Sequence, residues 1–124
     1  MDSETYLRLL EGVMRRHSEL WAGFGEGLSG DFPEMLADTY DVISSDLARL
    51  SPPGSLEGTH RALMETFAGI SGVMRASTVS DGKLRVPPEL DEHLVAVTQG
   101  GARAVVTLQD AARQLGLDIR LDWS

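Results

Sequence analysis

Three histidines, His17, His60 and His93, are the side chains best suited to ligate a metal or move a proton near neutral pH. Histidines and carboxylates projecting inward from facing helices are how helical bundles build metal centres. Glu57 and His60 stand three residues apart, half of the paired Glu-x-x-His arrangement of carboxylate-bridged di-iron bundles. The second half is missing, because Glu89 and His93 are four apart. With a rise of ~1.5 Å per helical residue, the three histidines spread over ~20 Å along the axis of an up-and-down bundle. They cannot share one ion.

A smaller cluster is compatible with the spacing. If four helices alternate in direction, His60, Asp46, Glu11 and Asp110 come to similar heights, and these four are the candidate metal or small-ligand site. The competing and preferred reading is a core histidine satisfied by one carboxylate or backbone group, since buried polar groups need partners. His17, among Val13, Leu20 and Trp21, takes the same structural reading, and His93 is expected at the surface near a helix start. No Gly-rich phosphate loop, G-x-S-x-G elbow or H-E-x-x-H helix occurs, so neither catalysis nor a cofactor is expected.

The elements that must position these residues follow from apolar periodicity. Tyr6, Leu10, Val13, His17, Leu20, Phe24 and Leu28 recur at steps of three and four, predicting a first helix over residues 4–28. Asp31 reads as an N-cap with Glu34 three residues on, and a second helix over 32–50 stops before Pro52 and Pro53. Ser51 reads as the cap of a third helix with the stripe Leu56, His60, Leu63, Phe67, Ile70 and Met74. Gly58, Gly69 and Gly72 weaken it intrinsically, and close approach of a neighbouring helix is their expected return. Residues 77–86 read as a loop around Ser80-Asp81-Gly82, after which Pro87 and Pro88 open a fourth helix. Its inner side carries Leu90, Leu94, Val97, Val105, Leu108, Ala112 and Leu115, interrupted at Gly100-Gly101.

These segments predict an all-α domain spanning residues 1–124, an antiparallel up-and-down four-helix bundle. The alternative is a three-helix core whose last helix breaks at the glycine pair. After Gly116 the period changes to two: Leu117, Ile119, Leu121 and Trp123 alternate with polar residues, predicting a short extended C-terminal segment. Its edge could pair with another chain, or the segment could lie as a strap on its own bundle.

Pro52, Pro53, Leu56, His60 and Leu63 spell P-P-x-x-L-x-x-x-H-x-x-L. This resembles a helix start in bacterial helical-bundle proteins of unknown function, often lipoproteins or surface proteins. The likeness covers residues 52–63 and implies a helical bundle. Pro87-Pro88-Glu89-Leu90 followed by His93 echoes it.

Composition bounds the function classes. A net charge of −8 repels phosphate backbones and anionic lipid, so nucleic-acid binding is not expected. Apolar runs fall far short of the ~20 residues that span a bilayer. Without cysteine there is no disulfide or thiolate site. A cytoplasmic location is expected, although a cysteine-free mature chain also suits export. The expected function is non-catalytic: a structural or protein-interaction module that binds a protein partner or itself. A metal- or ligand-binding bundle is the alternative.

Overall fold

The computed structural model describes residues 1–22 and 30–121, and four α-helices dominate it: α1 (Ser3–Ala22), α2 (Phe32–Ala48), α3 (Glu57–Ala76) and α4 (Asp91–Gln114). The expected continuation of the first helix to Leu28, and Trp123 in the tail, lie outside the described residues. Asp2 starts α1, its carboxylate accepting the Thr5 N–H at 2.7 Å and its carbonyl the Tyr6 N–H at 3.0 Å. At α2 the Asp31 carbonyl accepts the Met35 N–H at 3.0 Å, and Pro33 occupies the first turn, where its missing N–H costs nothing.

The third and fourth helices begin later than expected. A 3-10 turn at Gly54–Leu56 precedes α3, and another at Pro88–Leu90 precedes α4. The first follows Pro52-Pro53 and the second starts on Pro88 itself, so each double proline leads into a tight turn before α-helical hydrogen bonding sets in. Ser51 therefore does not cap α3. The segment expected to be a loop forms a hairpin instead, β1 (Thr78–Ser80) pairing antiparallel with β2 (Lys83–Arg85), Val79 opposite Leu84. Asp81 and Gly82 take φ of 55° and 72°, the left-handed pair that a two-residue hairpin turn needs.

The Gly100-Gly101 pair does not break α4, which runs unbroken from Asp91 to Gln114. A Cβ on Gly100 would stand 3.9 Å from the Thr66 hydroxyl of α3, and Gly101 is buried. On α3, Gly69 is the glycine of close approach, since a Cβ there would lie 2.9 Å from Cγ1 of Val97. Gly58 and Gly72 meet nothing within 4 Å. The α3 helix packs extensively against both α2 and α4, whereas α1 and α4 touch sparsely.

The chain's last described residues occupy that sparse seam. Gly116, with φ of 70°, ends α4, and the Leu117 N–H returns to the Ala112 carbonyl at 3.0 Å. Residues 117–121 then run as a strap with Ile119 and Leu121 buried in the common core and Asp118 and Arg120 exposed. The period of two is real, but the strap makes no strand ladder. The Gln109 side chain stands in for a strand partner, donating to the Ile119 carbonyl at 3.2 Å and accepting the Leu121 N–H at 2.8 Å. From α1, Glu11 accepts the Arg120 N–H at 2.6 Å.

Candidate functional site

His60 enters the core from the first turn of α3 and is 5% exposed. Its Nε2 lies 3.0 Å from the Leu47 carbonyl in the last turn of α2, which also accepts the Leu50 N–H at 3.0 Å. A carbonyl only accepts, so Nε2 carries the hydrogen and Nδ1 is left with its lone pair. The Tyr6 hydroxyl stands 2.7 Å from Nδ1 and donates to it. Burial pushes the Tyr6 phenol well above its ordinary pKa, which keeps the donor protonated. Burial also lowers the His60 pKa, partly opposed by the hydrogen bond to Leu47. The arrangement joins α1, α2 and α3 through one neutral imidazole.

The three carboxylates expected beside His60 are engaged elsewhere. Asp46 pairs with Arg16 of α1. Glu11 pairs with Arg15 at 3.6 Å and holds the strap. Asp110 pairs with Arg113 at 3.6 Å and lines a cleft of about 480 Å³ with Ser3, Ser55, Thr107 and Gln114. Among the described residues, no group of three His, Asp or Glu side chains is arranged to hold a metal ion. The expected convergence of His60, Asp46, Glu11 and Asp110 is thus not formed. Height along the axis was compatible with it, but the rotation of each helix turns the carboxylates outward toward arginines.

His17 is 2% exposed, with Nε2 3.1 Å from the Tyr40 hydroxyl and its ring edge-on to Phe67 at 5.3 Å. Tyr40 and Phe67 stack at 5.7 Å. Burial lowers the His17 pKa to about 4, so the ring is neutral at physiological pH. His93 is exposed in the first turn of α4, as its sequence position implies. A polar network the sequence does not announce joins α2 to α3. Ser71 donates to Asp41 at 2.6 Å, and Arg75 bridges Asp41 and Asp38. The Ser71 and Arg75 bonds hold the Asp41 carboxyl below its usual range. The Asp41 carboxylate facing Ser71 is itself tied to Arg75, and the network reads as a clamp between helices.

The described part of the tail, residues 117–121, lies against its own bundle. Ile119 and Leu121 are buried and Leu117 is half-buried, so these side chains belong to the core. Among the described residues, exposed large apolar side chains on the helices are Leu9 of α1, Met35 and Val42 of α2, and Val95 and Val106 of α4. On α4, Val95 is 54% and Val106 60% exposed. Glu92, Val95, Gln99, Arg103 and Val106 recur at steps of three and four, with Ala96 beside them, on the side opposite the buried Ala104, Val105 and Leu108. A shallow groove of about 350 Å³ lies on this face, lined by Asp91, Glu92, Val95, Ala96 and Gln99. The same periodicity that predicts the inner face of α4 marks this second stripe. Leu115, assigned to the inner face, is exposed because the helix ends there.

Comparison with family models, curated proteins and solved structures finds no match to this chain.

Proposed function

We propose that this chain is a non-catalytic helical-bundle module that acts by binding protein, either a partner or itself. The observation that carries the reading is the outer face of α4, where two valines more than half exposed sit in one helical stripe and the first of them, Val95, lines a groove. Exposed apolar groups aligned on one face favour a docking role over a solvated surface. The groups that could do chemistry support the same reading by their engagement: His60, Asp46, Glu11 and Asp110 each have a partner that serves the fold.

An up-and-down antiparallel arrangement of the four helices accords with the cross-helix pairs. Between α2 and α3, Leu47 meets His60 while Ala37 meets Ser71; between α3 and α4, Thr66 faces Gly100 while Gly69 faces Val97. In both cases one number rises as the other falls, which is the pattern of antiparallel neighbours. Between α1 and α3, Tyr6 meets His60 and His17 meets Phe67, both numbers rising, as alternate helices require. The net charge of −8 argues against nucleic acid as the partner.

The test is capture and crosslinking from an extract of the source cells, comparing the native chain with the double variant Val95→Asp/Val106→Asp. The reading expects a specific protein, including a second copy of the chain, to be retained by the native chain and lost by the variant. Retention that ignores the substitutions, or a large rise in melting temperature with divalent metal and no protein bound, overturns it.

A further inference from the structure

We propose that the outer face of α4 is a self-complementary surface on which two copies of this chain pair antiparallel, about a two-fold axis between residues 97 and 98. The inference deepens the protein-binding reading, on which it rests, by naming the partner as a second copy. Glu92 and Arg103 stand at the two ends of the stripe, with Val95, Ala96 and Gln99 between them. Among the described residues neither Glu92 nor Arg103 has an ion-pair partner. They cannot pair with each other, because eleven residues of one helix separate them by ~16 Å.

An antiparallel second helix removes that separation. Setting Ala96 opposite Gln99 of the second copy brings Glu92 opposite the second copy's Arg103. The two-fold axis then repeats both contacts, as an isologous interface demands. One choice of register thus satisfies both ends. The small Ala96 near the axis lets the helices approach closely over the groove, and their dipoles run in opposite directions. The net charge of −8 opposes the approach of two copies in every orientation, so the paired Glu92 and Arg103 are what favour this register.

Charge reversal provides a test with an internal control. Sedimentation equilibrium on the full chain is compared for the native protein, Glu92→Arg, Arg103→Glu, the double exchange, and an equimolar mixture of the two single variants. Each single variant places like charges at both ends of the dimer and is expected to raise its Kd about tenfold or more. The double exchange restores dimerisation, and so does the mixture, because the two single variants complement each other as a heterodimer. Both residues are exposed, and circular dichroism checks that each variant keeps its helices. A native chain that stays monomeric, a single variant that dimerises normally, or a mixture that fails to associate overturns the inference. If the native chain is monomeric but still captures a different protein through Val95 and Val106, the proposed function survives without the dimer. If it captures nothing, both fall.

Discussion

The Tyr6 hydroxyl donates to Nδ1 of His60 across 2.7 Å of buried space, while the opposite ring nitrogen donates to the last turn of α2. A side chain suited to metal binding is thereby consumed as a three-helix junction. Its stability cost on removal is predictable. Tyr6→Phe leaves Nδ1 buried without a donor and is expected to cost about 1–3 kcal/mol in urea denaturation. His60→Leu, which orphans the Tyr6 hydroxyl and takes one of two donors from the Leu47 carbonyl, is expected to cost at least as much as Tyr6→Phe. A neutral result for either variant would mean that the junction does not carry the packing assigned to it.

His17 predicts an acid-sensitive window. In the unfolded chain an imidazole titrates near its model value of 6.5, but folding lowers His17 to about 4. Between these values the unfolded state holds more protons. The contribution is therefore complete above pH 6.5 and is lost as pH falls toward 4, by on the order of 3 kcal/mol. His60, also lowered, adds loss of the same sign. Denaturation midpoints measured from pH 7.5 to 4 check the slope, and an imidazole NMR titration checks that His17 still resists protonation below pH 5.

The α3 glycines separate by geometry. Gly69→Ala drives a methyl against the stiff, branched side chain of Val97 and is expected to destabilise by about 1 kcal/mol or more. Gly72→Ala meets open space and is expected to stabilise by up to about 1 kcal/mol through helix propensity alone. Opposite signs in the two thermal or urea melts are the expected result.

Much of this architecture is legible from residue pattern. The stripes of α1, α2 and α3, the double-proline entries and the period of two after Gly116 all follow from local preference, which acts within a few residues. What pattern does not resolve is rotation and context. Height placed Asp46, Glu11 and Asp110 beside His60, but the angular setting of each helix decided whether a carboxylate meets the imidazole or an arginine. The Asp81-Gly82 turn was visible as a turn. Its hairpin was hidden because strands of three residues carry too short an alternation to register. Gly100-Gly101 looked like a break because propensity counts against glycine, whereas the contact with α3 offsets that cost. The docking of the strap needed Gln109, twelve residues away from Leu121, to act as a strand edge.

That strap supplies a further prediction. Ile119→Ala is expected to cost about 2–4 kcal/mol, as for other large-to-small changes in a core. Gln109→Ala removes two backbone partners and is expected to cost about 1–2 kcal/mol. If the tail instead served a separate chain and only brushed its own bundle, Ile119→Ala would leave the melting temperature unchanged.

The central claim is that two copies of this chain meet through the outer face of α4, not through its polar core. The most direct measurement is a dilution series of amide ¹H–¹⁵N NMR spectra on the full chain. The account predicts concentration-dependent shifts confined to the exposed side of α4 from Glu92 to Val106, with the amides around Tyr6, Leu47 and His60 unmoved. Spectra independent of concentration, or shifts centred away from α4, would contradict it.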